Sequence, residues 1–140
     1  TLLASSAASD VYKRQVDDTN TFSVEESIRD IFMDQTLPDI IICLNELSTT
    51  CVYQAVVDYN CVGEIAILGY YDTDTILKAI ERNVITATIS IDTEQMGAFC
   101  VDALQEYYNY GYTSQYFTAD VTVIDQSNVE EYLGKQEEAE

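Results

Sequence analysis

Polar and aromatic side chains directly follow three segments of the sequence that have the composition of strands. The segments are 39–44, 65–68 and 84–91, and each is a short apolar or β-branched run. In open parallel sheets, ligands bind beyond the carboxyl ends of the strands. We therefore expect the residues that follow these segments to share one edge of a sheet and to form a ligand-binding site. They are Asn45, Glu46, Tyr70, Tyr71, Asp72 and Asp92.

This set of side chains suits a neutral, polyhydroxylated ligand. Carboxylates and an amide can bind pairs of adjacent hydroxyl groups, and a tyrosine ring can cover an apolar ligand face. Each residue also has a purely structural interpretation: Asn45 and Asp72 are common turn residues, Asp92 can cap a helix, and Tyr70 and Tyr71 can pack at the edge of a core. The expected convergence on one edge favours the ligand site.

The composition argues against catalysis and against a metal or a cofactor. The chain has no His, which removes the commonest general base and the commonest transition-metal ligand, and it has no phosphate-binding loop of the G-x-x-x-x-G-K type. A net charge of −19 disfavours nucleic acid and anionic substrates. We predict a non-catalytic protein, with an acidic α/β enzyme as an alternative, because acidic side chains also serve Mg²⁺ binding and glycoside hydrolysis.

Helical and strand patterns alternate along the chain. A capping box at 23–26 predicts the start of the first helix, Ser48 or Thr49 is expected to cap the second, and a fourth strand is predicted at 116–124. Alternation with short loops is typical of an α/β protein with a mainly parallel sheet flanked by helices. The longest apolar run, 40–44, is far too short to cross a membrane.

The four cysteines, Cys43, Cys51, Cys61 and Cys100, form no C-x-x-C motif. Cys43 falls in a predicted buried strand and Cys100 on the apolar face of a predicted helix. We expect free, buried thiols that pack as small apolar side chains. Their even number leaves a disulfide possible.

Several segments, in order, resemble one family. "PDIIICLNE", "EIAILGYYDTDTILKAIERNVITATISIDTEQMG" and "ADVTVIDQSNVEEYL" are similar to the C-terminal part of type 1 periplasmic sugar-binding proteins. The effector-binding domains of lactose-repressor-like transcription factors share this fold. The resemblance covers about 16–133 and implies a two-lobed protein of which this chain holds part. It implies that about 22–92 belongs to the C-terminal lobe. The next segment, about 93–126, would contain a helix and a strand that return to the N-terminal lobe, and 127–140 would be a terminal helix and tail.

The resemblance also implies a function. It suggests the substrate-binding component of a sugar uptake ABC transporter, extracytoplasmic, with a small carbohydrate as ligand and a membrane permease as partner. The alternative is the effector-binding domain of a cytoplasmic regulator; an upstream signal peptide would favour the first and an upstream helix-turn-helix the second. The resemblance implies that Asn45 matches the family's ligand-binding Asn. Tyr71 stands where the family usually has an Asp, and Asp72 follows it one position later. Asp92 is likewise one position from the polar residue that the family usually has there.

The stretch "DVYKRQ", at 10–15, has a different origin from the rest in our interpretation. Back-translated with ordinary codons it resembles the mosaic-end sequence of transposase adapters used in DNA library preparation. The family resemblance begins immediately after it. We therefore expect 1–15 to be a non-native segment and 16–140 to be a partial sugar-binding domain.

Overall fold

The computed structural model describes residues 21–33 and 36–137. Helices and strands alternate along this part of the chain, in the order α1 (Thr21–Met33), β1 (Ile40–Ile42), α2 (Glu46–Asp58), β2 (Ala66–Tyr70), α3 (Asp74–Glu81), β3 (Ala87–Ile91), α4 (Thr93–Tyr110), β4 (Val121–Asp125) and α5 (Val129–Glu137). The predicted non-native segment 1–15 and the last residues of the acidic tail lie outside the described residues. Helix α1 is already formed at Thr21, so Ser23 lies within it and does not start it.

The four strands form one sheet in the order β1-β2-β3-β4. The pairs β1–β2 and β2–β3 are parallel, whereas β4 is antiparallel to β3. The predicted α/β fold with a mainly parallel sheet is therefore confirmed.

Strand β4 does not leave this sheet. The sequence interpretation placed the strand after α4 in the other lobe, but Val121–Asp125 pairs with β3 from Ile91↔Val121 to Ala87↔Asp125. The chain returns here because segment 111–120 brings Asp120 back beside Asp92, whose backbone N–H donates to the Asp120 carbonyl at 3.0 Å. The strand is also shorter than predicted, because residues 116–120 are irregular.

The core lies on one face of the sheet. Ile67 of β2 and Ile124 of β4 are fully buried on this face, and α2, α3 and α5 supply apolar side chains such as Val56, Ile80 and Val129. Burying one such side chain stabilises the fold by about 1.5–3 kcal/mol. This packing fixes the strands, and with them the edge at which the site residues lie.

The other face of the sheet is apolar but exposed. It consists of Ile40, Ile42, Leu68, Ile89, Val121 and Val123, which we call the open sheet face. The segment 39–44 was predicted to be a fully buried strand; that prediction is wrong, since Ile40 is 56% and Ile42 65% exposed. The apolar run correctly indicates a strand with two apolar faces, but within the described residues only one of these faces is covered.

Helix α4 is the other apolar surface that lacks cover. Asp92 caps its N-terminus, and Gly111 ends it with a left-handed φ of 76°. None of its residues is buried, and Val101, Leu104 and Tyr108 are 64%, 71% and 90% exposed. Apolar side chains repeat along α4. In the described part of the chain, no helix is long and apolar enough to cross a membrane.

The cysteines are all free, and three of them are buried as predicted. Burial raises the pKa of the Cys43 thiol to about 11, with a smaller opposing effect from its hydrogen bond to Thr49. Cys100 is exposed, contrary to the prediction, because it lies on α4, none of whose residues is buried in the described part of the chain.

We expect one thiol to react rapidly with DTNB in the native chain at pH 8, and four in denaturant. A pKa of about 11 leaves roughly one Cys43 thiol in a thousand ionised at that pH, and the thiolate is the reacting form. The Cys100→Ser variant should lose the rapid phase, whereas the matched Cys61→Ser variant should keep it. More than one rapid thiol in the native chain would contradict the burial of the other three.

Candidate ligand-binding site

The carboxyl ends of β1, β2 and β3 meet at one edge, as the sequence predicted. Two backbone hydrogen bonds align these ends: the Cys43 N–H donates to the Leu68 carbonyl at 2.8 Å, and the Tyr71 N–H donates to the Ile89 carbonyl at 2.8 Å. All six predicted site residues follow or end these strands, at positions 45, 46, 70, 71, 72 and 92. The structure thus brings them to one edge, and the contacts of each show what it can do there.

Asn45 is the N-cap of α2. Its Oδ1 accepts a hydrogen bond from the Ser48 backbone N–H at 2.7 Å, so the helix starts before the predicted caps Ser48 and Thr49. Glu46 is the first helical residue and is exposed, where its charge favours the helix N-terminus. Because capping uses the Oδ1 of Asn45, the amide NH₂ is the group with which this residue can meet a ligand.

Tyr70 and Tyr71 are both half-buried at the end of β2. Tyr71 packs against the core and has a φ of 81°, a left-handed conformation that is rare for a bulky residue. The Tyr71 carbonyl accepts a hydrogen bond from the Thr88 hydroxyl at 2.6 Å. The edge-of-core interpretation therefore holds for Tyr71, and its backbone geometry sets where Asp72 begins.

Asp72 is half-buried and tied to β3. Its Oδ2 accepts a hydrogen bond from the Ser90 hydroxyl at 2.7 Å, and Ser90 is 8% exposed. Sequence reasoning did not select Ser90. The signal was present in the alternation of Thr88 and Ser90 within "ATISI", which places two hydroxyl groups on one face of the strand.

Asp92 lies where the chain leaves the sheet. Its Oδ1 accepts from the Gln95 N–H at 2.8 Å, so the helix-cap interpretation is correct. Gln95 in turn contacts Asp120: its Nε2 donates to the Asp120 carboxylate at 3.2 Å, and its Oε1 accepts from the Asp120 N–H at 2.7 Å. Asp92 is exposed, and it sits between the outgoing and the returning chain.

The cavity that the structure shows between two helices is separate from this edge. It has a volume of about 260 Å³, lies between α1 and α2, and is lined by residues that include Phe22, Cys51 and Tyr59 but none of the six site residues. Within the described residues, no group of three or more acidic or Cys side chains is arranged to hold a metal ion. The arrangement places carboxylates, an amide and two tyrosines at one edge of the sheet.

Several solved structures resemble this chain. A solute-binding protein of an ABC transporter from Agrobacterium vitis, with bound α-D-tagatopyranose, is 14% identical with a TM-score of 0.78, and the match covers 89% of this chain and 42% of that one. One from Bacillus halodurans with bound myo-inositol is 18% identical with a TM-score of 0.70, covering 83% and 40%. XylFII, in a complex with LytSN, is 24% identical with a TM-score of 0.68, covering 79% and 38%.

These likenesses establish the fold. The chain has the fold of part of a type 1 periplasmic binding protein, as the resemblance of its motifs implied, and it spans about two fifths of the length of the solved proteins described above. No protein-family model matches the sequence, and no curated protein matches it.

Proposed function

We propose that this chain is part of the sugar-binding component of an ABC transporter and that its six site residues form one side of the sugar site. The observation that carries the proposal is the meeting of Asn45, Tyr70–Asp72 and Asp92 at one strand edge, in a fold whose solved examples include sugar-bound proteins. The protein acts by binding and not by catalysis. A small carbohydrate is the ligand.

Each part of the edge has a role in this proposal. The Asp72 carboxylate, held by Ser90, accepts hydrogen bonds from a pair of adjacent sugar hydroxyls. The Asn45 amide donates to another oxygen, and the Tyr70 ring covers an apolar face of the sugar, to which Tyr71 adds the part of its half-buried ring that the core leaves exposed. Asp92 binds at the side where the chain passes into α4.

A second lobe completes the site. In the proposal about 22–92 forms the C-terminal lobe and α4 lies against the other lobe, which is supported by the absence of buried residues along α4. Residues 121–125 are assigned to the same lobe as β3, because they pair with it. Closure of the two lobes around the sugar then excludes water and signals occupancy.

The location and the partner follow from the same assignment. A sugar-binding component of an uptake transporter works outside the cytoplasm and delivers its sugar to a membrane permease. The many acidic side chains keep such a protein soluble at high concentration. The XylFII–LytSN complex shows that one protein of this fold also meets a second kind of partner.

A sugar titration followed by NMR tests the proposal. Myo-inositol and D-tagatose, added separately to the ¹⁵N-labelled chain, should shift the amide signals of residues 45, 70–72 and 92. We expect Asp72→Asn to weaken binding by about one to two orders of magnitude, because losing a charge-assisted hydrogen bond costs roughly 1.5–3 kcal/mol. The Asn side chain keeps an oxygen that can accept from Ser90, so the fold is preserved.

One control variant and one further site variant accompany this titration. Asp74→Asn removes an exposed carboxylate two positions away, which contacts Lys78 at 2.7 Å and lies outside the site; it should leave binding unchanged. Asn45→Ser keeps a good helix cap but removes the amide, so it should weaken binding without lowering stability appreciably. Shifts confined to residues outside this edge, or no shifts with either sugar, would refute the proposed site.

A further inference from the structure

A buried hydroxyl joins two parts of the site that are distant in sequence. Thr49, in the first turn of α2, is fully buried. Its Oγ1 donates to the Asn45 carbonyl at 2.8 Å and accepts from the Tyr70 N–H at 3.0 Å. The Tyr70 N–H depends on this hydroxyl because β1 has ended at Ile42 and no longer runs beside it.

A second buried hydroxyl lies on the other side of β2. Thr88 of β3 is 1% exposed, and its Oγ1 donates to the Tyr71 carbonyl. Gly69 lies between the two threonines: a Cβ at this position would stand 2.6 Å from Thr49 Cγ2 and 3.1 Å from Thr88 Oγ1. The missing side chain is therefore what allows both threonines to approach the end of β2.

The residue that follows adopts a costly backbone conformation. Tyr71 has a φ of 81°, and such conformations persist only where the surroundings hold them. Both backbone groups of Tyr71 are fixed, the N–H by the Ile89 carbonyl and the carbonyl by Thr88. An unusual conformation with both groups fixed, directly before Asp72, indicates a backbone that is set for function.

We propose that Thr49, Gly69 and Thr88 form a hydroxyl clamp that holds the backbone of residues 70–72 in the ligand-binding arrangement. Thr49 and Thr88 are positioning residues: they act through Tyr70, Tyr71 and Asp72. The importance of the clamp for sugar affinity rests on the proposed function. The effect of the clamp on the backbone of residues 70–72 is independent of the proposed function.

The substitution Thr49→Val removes the clamp's hydrogen bond to the Tyr70 N–H, together with the contacts of the same hydroxyl to the Tyr70 carbonyl and the Cys43 thiol. Valine has nearly the same shape but no hydroxyl, so the Tyr70 N–H loses its acceptor. The Asn45 carbonyl keeps a partner, because the Thr49 backbone N–H donates to it at 3.1 Å. The defect is therefore expected at Tyr70 and not throughout α2.

The test is hydrogen exchange by NMR on the 140-residue chain, comparing Thr49→Val and Thr49→Ser with Thr50→Val. Thr50 is a matched control, because its hydroxyl makes the same kind of bond within α2, to the Glu46 carbonyl at 3.1 Å, and the residue is half-buried where Thr49 is fully buried. In Thr49→Val we expect the Tyr70 amide to exchange at least about tenfold faster, relative to the Leu68 amide. Thr49→Ser and Thr50→Val should leave this ratio unchanged.

The second bond of the clamp is tested in parallel. Thr88→Val should move the Tyr71 Cα resonance towards the value of extended backbone, and Thr88→Ser should not. Myo-inositol and D-tagatose titrations should show affinity lowered about tenfold in both valine variants. Equal acceleration of all β2 amides in Thr49→Val, or an unchanged Tyr71 resonance in Thr88→Val, would overturn the clamp.

The two proposals fail in different ways. If the unmodified chain binds neither sugar, the proposed function fails, and the exchange ratio and the Tyr71 resonance still decide whether the clamp exists. If the unmodified chain binds a sugar and both valine variants bind it equally well, the positioning role is overturned while the proposed function stands.

Discussion

Gly69→Ala is expected to lower the free energy of unfolding by about 1–3 kcal/mol, the usual cost of forcing an extra group into a packed core. The new Cβ would stand 2.6 Å from Thr49 Cγ2, a methyl group on a fully buried, β-branched side chain that has little freedom to move. On the other side lies Thr88, which is also buried. Urea unfolding followed by circular dichroism measures the loss directly.

Gly97→Ala is the matched control for this substitution. Gly97 lies within α4, and a Cβ there would meet no atom within 4 Å. Since Ala is a better helix former than Gly, the free energy of unfolding of this variant should be higher by roughly 0.5–1 kcal/mol. Adding one methyl group is thus expected to lower the free energy of unfolding at position 69 and to raise it at position 97. Equal stability of the Gly69→Ala variant and the unmodified chain would show that Thr49 and Thr88 are not packed as described.

The arrangement of the sheet was predictable because its determinants are local. The apolar runs that became β2 and β3 are bounded by turn residues and separated by helical patterns, and parallel pairing follows from that alternation. Strand β4 was harder to place. Its direction depends on where 111–120 carries the chain, and a segment without regular structure has no periodicity from which this can be read.

Exposure was predicted less well than secondary structure. A run such as "IIICL" indicates that both faces of a strand are apolar, but not whether the chain itself covers both. The same limit applies to α4: its apolar stripe marks a face that requires a partner, and Cys100 was expected to be buried on that ground. Within the described residues the partner of each surface is absent, so Ile42 and Cys100 are exposed.

The sequence predicted which residues lie at the candidate edge, but not which buried hydroxyl groups hold them there. The strand-end rule selected Asn45, Asp72 and Asp92 without any contact information. Ser90 and Thr49 were missed as site elements, because their roles depend on hydrogen bonds to residues 18 and 21 positions away. Asn45 and Asp92 are helix caps as well, so at this strand edge the same residues have a structural role and belong to the candidate site.

The exposed apolar surfaces have a measurable consequence for the isolated chain: we expect it to self-associate. The open sheet face presents Ile42 and Val123 at 65% and 56% exposure, and Leu104 and Tyr108 of α4 are more exposed still. Contiguous apolar surface of this kind marks an interaction site or an aggregation risk. The net charge of −19 opposes association, so screening by added salt should strengthen it. Sedimentation velocity at low and at high salt measures both effects.

Two sets of substitutions can assign the association to one surface. Ile42→Thr, Ile89→Thr and Val123→Thr together make the open sheet face polar while keeping β-branched side chains. Val101→Gln, Leu104→Gln and Tyr108→Gln do the same for α4 with a good helix former. If each apolar side chain contributes about 1–1.5 kcal/mol to association, removing three from the surface responsible should raise the dissociation constant by at least about two orders of magnitude.

The outcome also bears on the proposed two-lobed protein, because its other lobe is expected to cover apolar surface of this kind. A chain that is monomeric at every salt concentration would show that its apolar surfaces need no cover, and would count against a completing lobe. Association lost in the α4 variant would identify the helix as the surface meant for the other lobe. Loss in the sheet variant would instead point to a covering layer within the same lobe, since the open sheet face belongs to the sheet whose strands β1, β2 and β3 carry the candidate site.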